Sequence, residues 1–327
     1  MSSTSNPITQ VSQHAMPNMG LQPQLLTRLH LDLRGARFTV DRETIMNLPE
    51  SVLLCLFPNG LVLSRQSMAL SDTGDEEDDE VYGVDFDPQC FEFVLSFFRQ
   101  AADVFYGTPT QPGLLNLQQQ LFDTLPPNSE FSPAAQAQNP LLSKQAIIVL
   151  REELEYFAIP PRGGGEKTDP HGIANQAMLD LKRACGHNLL EKRTIFTALQ
   201  RNVNKENNVA EQHLIDMLCQ SGFSRDDVWG YRALEPSRCC ISSIALVLLK
   251  TGITHHPNAS NKEEKVTIDY SQMSTAQKLL LFWRKPARKC WWDGVEVEIG
   301  TPGVPARPVK LWARRVWTLE LSLVGYP

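Results

Sequence analysis

The chain has 327 residues, 42% hydrophobic and 21% charged, proportions that fit a globular protein long enough for two domains with real cores. No apolar run approaches the roughly 20 residues that a membrane helix needs; Ile244 to Leu249 is far too short. The net charge of −6 is unevenly held, with 20 acidic and 9 basic side chains in residues 1–165 against 17 and 22 in residues 166–327, a positive balance too weak for a nucleic-acid domain.

Residues 1–24 are rich in Ser, Asn, Gln and Pro and are expected to form a disordered tail. Met1 to Asn18 carries no basic-then-apolar leader pattern. Seven cysteines without framework spacing fit a reducing compartment, so a soluble cytoplasmic or nuclear protein is expected. Leu29, Leu31 and Leu33 alternate with His30, Asp32 and Arg34, the period of a half-buried strand. Gly35 breaks this run and Phe38 and Val40 resume it, which predicts an antiparallel hairpin. Asp41 is placed to cap a short helix through Ile45 to Leu48, ended by Pro49. A second apolar run, Val52 to Leu56, stops at Pro58-Asn59-Gly60.

Residues 72–80 include six consecutive acids, Asp75, Glu76, Glu77, Asp78, Asp79 and Glu80. Self-repulsion keeps such a run solvated. It is either a plain loop or a handle for a basic partner, this chain's own second half included. Asp87-Pro88 supplies a cap and a first-turn proline ahead of Phe91, Val94, Leu95 and Phe98, one helical face. Residues 107–140 form a Gln/Pro-rich insertion with a short helix at Leu114 to Phe122, expected to loop out. A helix is then expected over Lys144 to Phe157, with Ile147, Leu150, Leu154 and Phe157 inward and Glu152, Glu153 and Glu155 mostly on the wet side.

Pro160-Pro161 and Gly163-Gly164-Gly165 mark a boundary, dividing a first unit at 25–161 from a second at 172–327 through a linker at 162–171. The second unit opens with a helical pattern through Ala177, Leu181 and Ala184, ended by Gly186, and continues with a helix near Val209 to Cys219. Trp229 to Leu234, Cys239 to Lys250, Val266 to Tyr270, Val295 to Ile299 and Val309 to Val324 read as strands. His255 to Lys262 reads as a polar loop. A helix beginning at Ser274 or Thr275 carries Leu279, Leu280 and Phe282. The fold class is α+β.

No residue pattern points to catalysis or to a cofactor. Cys239-Cys240 and His255-His256 lack the spacing of a tetrahedral metal site. Cys185 and His187 are too close in sequence for a thiolate–imidazole couple, and no nucleophile elbow or zincin motif occurs. The most distinctive stretch is instead basic and aromatic. Arg284, Lys285, Arg288 and Lys289 interleave with Trp283, Trp291 and Trp292, and residues 278–315 hold nine basic against three acidic side chains. Two readings stay open: tryptophans in the core with basic flanks, or a Trp/Arg surface of the kind enriched at binding hot spots.

Two resemblances follow. Phe38, Arg42-x-Thr44-Ile45 and Pro49-x-Ser51-x-x-Leu54-x-x-Phe57, then Asp85-x-Asp87-Pro88-x-x-Phe91-x-x-Val94-Leu95 and Leu150-x-Glu152-Glu153-x-x-Tyr156-Phe157, resemble BTB/POZ domains of the potassium-channel-tetramerisation type. The order of the blocks matches; Phe86 departs, since that family usually has arginine there. The second half is similar to fungal growth-regulation proteins in Glu211 to Cys219, Ser221-Gly222-Phe223, Ile241 to Val247 and Phe282 to Trp292. The resemblance implies a non-enzymatic adaptor that needs no cofactor, metal or nucleic acid. It would position a plasma-membrane-associated stress-response phosphatase and restrain nutrient-responsive growth signalling, with self-association through the BTB domain. Such a protein would be cytoplasmic and recruited to the membrane by partners. The alternative is a substrate receptor of a cullin-based ubiquitin ligase. Charge reversal at Arg288 and Lys289 is expected to abolish capture and spare the fold.

Overall fold

The computed structural model describes residues 24–61, 64–65, 81–124, 139–159, 176–200, 209–256, 265–301 and 303–325. The proposed tail up to residue 23, the acids at 75–80 and the linker at 162–171 lie outside the described residues.

A short strand β1 (Gln24–Leu25) precedes the hairpin β2 (Arg28–Leu33) and β3 (Ala36–Asp41). Two residues turn the hairpin, Arg34 at φ 50° and Gly35 at φ 93°, the paired positive values of a type I′ turn. Helices α1 (Arg42–Met46) and α2 (Glu50–Leu56) follow, and Asp41 sits at the first cap without a side-chain hydrogen bond. Strand β4 (Ser64–Arg65) pairs with β1, and β5 (Val81–Val84) joins β2 in parallel. Asp87 accepts from the Gln89 and Cys90 amides and opens α3 (Pro88–Tyr106), which buries Phe91, Val94 and Phe98 as its spacing predicts.

The described part of the insertion does not simply loop out. It forms a strand pair, β6 (Gly107–Thr108) with β7 (Gln111–Pro112), and then α4 (Leu114–Thr124). The buried Gln118 side chain of α4 lies 3.3 Å from His255 Nε2, which ties the helix to the second half of the chain.

The larger correction concerns residues 144–157. They form no helix; β8 (Gln145–Ile159) is a 15-residue strand after a 3-10 turn at Pro140–Leu142. The run Ala146 to Leu150 is fully buried on both sides. A strand covered on both faces loses the alternation that identifies it and can match a helical spacing by accident.

Helices α5 (Gln176–Leu190) and α6 (Val209–Ser221) precede strands β9 (Tyr231–Leu234), β10 (Cys240–Leu248), β11 (Ile253–His256) and β12 (Lys265–Ile268). His255 therefore belongs to a hairpin strand rather than to a loop. Helix α7 (Tyr270–Trp283) starts a turn earlier than expected, because Asp269 accepts from the Ser271 and Gln272 amides. Long strands β13 (Ala287–Thr301) and β14 (Val304–Val324) complete the described chain.

Five of these strands form one antiparallel sheet in the order β13-β14-β8-β10-β9. Strand β8, from the first unit by composition, is its middle strand. One face carries Ile148, Leu150, Trp317 and Leu319, which share a core with Ile215 and Leu218 of α6 and Leu279 and Leu280 of α7. The opposite face carries Ile147, Val149 and Ile244 against Val52 of α2 and Phe91 and Val94 of α3. Glu320 Oε2 accepts from the Ser51 amide at 2.9 Å, while Arg151 Nη1 donates to the Ser51 carbonyl at 2.7 Å, so both side chains grip the first turn of α2.

Candidate functional site

The strands position the basic–aromatic stretch, and their alternation divides it. Trp283 ends α7 half-buried against the core shared with α6, while Arg284 and Lys285 beside it are exposed. Lys289 opposes Trp317 and Trp291 opposes Arg315 on the helix-covered face, whereas Arg288 opposes Thr318 and Trp292 opposes Arg314 on the other face. Trp291 packs edge-on to Trp317 at 5.6 Å, and Trp317 meets Trp229 edge-on at 5.9 Å. Lys289 Nζ reaches the buried Glu211 carboxylate of α6 at 2.5 Å. Lys289 and Trp291 are therefore structural, and Arg288 and Trp292 remain as surface candidates. Reversing the charge of Lys289 would set a glutamate against Glu211, so that variant does not test a surface.

Glu152 lies on the helix-covered face and is 2% exposed, not on a wet side. Its Oε1 accepts from Arg232 Nη1 at 2.8 Å, and its Oε2 accepts from Arg315 Nη1 at 2.8 Å and Trp317 Nε1 at 3.0 Å. Burial by itself would raise the Glu152 pKa, but the Arg315 and Arg232 guanidiniums outweigh it and hold the carboxyl below its ordinary value. Burial conversely lowers the pKa of Arg232. The cluster fixes the register of β8, β9 and β14 around one buried carboxylate.

On the opposite face the sheet runs past α2 and α3, and its far end stands open. Phe157 is 50% exposed, Ile159 46%, Trp292 57% and Trp312 38%. Phe157 and Trp292 stack at 5.9 Å, tilted by 32°. Lys310 Nζ lies 5.2 Å from the Trp312 ring, and Arg314 Nε sits 3.5 Å from the Glu155 carboxylate. Aromatic rings bordered by cations on one sheet face have the composition that is enriched at binding hot spots. Reading residues 144–157 as a helix hides Phe157 from this group. The signal that finds it is the cross-strand register, which sets Phe157 opposite Trp312 and Trp312 opposite Gly294.

Beside this surface a groove of about 1700 Å³ runs between Leu54 to Leu61, the turn into α3, and the outward faces of β8 and β10. Arg34 spans one end of it, donating through Nε to Asp85 at 2.7 Å and through Nη2 to Glu235 at 2.5 Å. The Arg34 guanidinium lowers the Asp85 pKa.

Among the described residues no cluster has the composition of a metal site, and the cysteines are free thiols. Burial pushes the Cys185 thiol up to about 11 and those of Cys90 and Cys240 up to about 12, so these groups stay protonated near neutrality. No helix among the described residues is long and apolar enough to cross a membrane.

No family model matches the chain. A WHI2-like protein of Schizosaccharomyces pombe is 33% identical over 292 residues, covering 89% of this chain and 86% of its own length. The chain belongs to the WHI2-like family. A growth regulation protein of Saccharomyces cerevisiae is 28% identical over 455 aligned residues, 91% of each chain. An uncharacterized protein of S. pombe is 21% identical over 298 residues, 91% of this chain and 87% of its own. Family membership thus spans both halves of the molecule, the hairpin end and the five-stranded sheet together.

Proposed function

We propose that this chain regulates growth as a non-catalytic adaptor, holding a plasma-membrane-associated stress-response phosphatase near its substrates. Tethering of this kind raises a rate through effective concentration, without new chemistry in the adaptor. The observation that carries the reading is the open end of the sheet, where Phe157, Trp292 and Trp312 stand exposed beside Arg314 and Lys310. Rigid aromatic side chains on a strand bind at low entropic cost, which is why Trp and Arg dominate binding hot spots. The WHI2-like and growth-regulation names of the relatives support growth control as the setting.

The BTB/POZ reading of the first unit draws support from the Arg34-Gly35 hairpin and the Asp87-capped helix. Its third block counts against it, since residues 150–157 lie in β8 where that family closes with a helix.

The test is capture of the phosphatase by the full chain. Trp292→Ser and Trp312→Ser are expected to weaken capture at least about tenfold, the usual loss at a hot-spot tryptophan, with unchanged thermal unfolding. Undiminished capture by both variants would remove this surface from the mechanism. Recovery of a cullin in place of a phosphatase would replace the adaptor with a ubiquitin-ligase receptor.

A further inference from the structure

Helix α7 packs one side on the sheet and buries Met273, Ala276, Leu279 and Leu280 there. Its last turn also carries Leu281, 80% exposed, and Phe282, 73% exposed, the two most exposed large apolar side chains among the described residues. Core packing accounts for Leu279 and Leu280 but not for this pair, because leaving two bulky apolar side chains in water forgoes their burial energy. The pair is firmly held, since the Arg284 amide still donates to the Leu280 carbonyl at 3.1 Å and closes the turn.

Cations bracket the pair. Lys278 lies one turn before Leu281 and Phe282 on the same side of the helix, and Arg284 and Lys285 follow them. All three basic side chains are exposed. Between Asp269 and Asp293 the chain has no acidic side chain. Among the described residues no carboxylate pairs with Lys278, Arg284 or Lys285, whereas Lys289 is held by Glu211.

We propose that the last turn of α7 is a membrane-contact site, with Leu281 and Phe282 inserted at the acyl boundary and Lys278, Arg284 and Lys285 among anionic headgroups. Leu and Phe flanked by Lys and Arg are the composition with which helices lie in a bilayer surface. Each cation adds attraction to anionic lipid, and the long Lys and Arg stems reach back to the headgroups from an inserted backbone. An acidic protein would match the cations, but it would also need an apolar pocket fitted to two side chains that protrude together. A bilayer offers anionic and apolar layers in depth order with no fitted pocket. Helix α7 covers the sheet face opposite to that of Trp292 and Trp312, so membrane contact leaves their surface open to a protein. The inference goes beyond the adaptor reading and does not depend on it.

The experiment is co-sedimentation of the full chain, with no phosphatase present, on vesicles of phosphatidylcholine with and without phosphatidylserine. The native chain is expected to bind the phosphatidylserine vesicles at least about tenfold more tightly, and added salt should release it. Leu281→Ser/Phe282→Ser and Arg284→Glu/Lys285→Glu are each expected to weaken binding at least about tenfold, with an unchanged unfolding midpoint. No binding of the native chain, equal binding to both vesicles, or undiminished binding by either double variant would overturn the proposal. Retention on polyglutamate but not on vesicles would assign the surface to an acidic protein instead. Phosphatase capture is a separate measurement on a separate face, so either idea can fail without the other.

Discussion

Glu152 and Glu153 are adjacent, and the strand sends them to opposite faces. Glu152 is 2% exposed and receives three hydrogen bonds, from Arg232, Arg315 and Trp317, whereas the Glu153 side chain is 48% exposed with Arg151 at 3.3 Å. Glu152→Gln keeps the shape but leaves two guanidiniums facing each other with no carboxylate between them. Removing one partner from a buried ion pair costs about 3–5 kcal/mol. Glu153→Gln alters a partly solvated pair and should change stability by less than about 1 kcal/mol. Both are measured by urea unfolding at neutral pH, followed by tryptophan fluorescence, with equal m-values required for the comparison.

The difference between native and Glu152→Gln should also depend on pH. Because the folded Glu152 pKa lies below its unfolded value of 4.5, its contribution is complete above that value and is lost as pH falls through the folded pKa. Glu320, whose pKa burial raises, titrates in both proteins and cancels from the difference. Equal, small losses for both glutamine variants would refute the buried cluster and with it the strand assignment of β8. A helix over these residues would place both glutamates in water and give that result.

Gly186 lies inside α5, where an alanine would ordinarily add about 1 kcal/mol of helix stability. A Cβ there would meet the Tyr156 hydroxyl at 2.4 Å and Leu234 Cδ2 at 2.8 Å, so Gly186→Ala should instead lower stability by about 1–3 kcal/mol in the same unfolding assay. Arg34→Asn keeps a residue that tolerates positive φ in the turn but deletes the contacts to Asp85 and Glu235. It should cost about 1–2 kcal/mol, and the loss should shrink at high salt in a thermal melt. Phe282 is 73% exposed, whereas its neighbour Trp283 packs on the core, so Phe282→Ser should leave the unfolding midpoint unchanged and Trp283→Ser should lower it.

Much of the local structure is legible without coordinates. Period-two alternation gives the first hairpin, Asp87-Pro88 gives the start of α3, and Val295 to Ile299 gives part of β13. Each of these signals is carried by residues close in sequence, through a turn, a cap or one buried face. What is not legible depends on neighbours distant in sequence. Gly186 looks like a helix stop, yet the helix continues through it, because packing against Tyr156 and Leu234 requires the absence of a side chain. Trp291 and Trp292 look like one patch, yet strand alternation gives one to the core and leaves the other on the surface.

The sequence by itself determined the α+β class, the hairpin and the Asp87 cap of α3, and it placed the tryptophans and cations in one stretch. Only the tertiary structure decided that residues 145–159 are the middle strand of the sheet, that Glu152 is its buried anion, and that Phe157 joins Trp292 and Trp312 in the open. The reason is physical. Where β8 is buried on both faces, from Ala146 to Leu150, it carries no alternation of its own, and its conformation is set by the hydrogen bonds of β10 and β14, supplied by residues some 90 to 180 positions further along the chain.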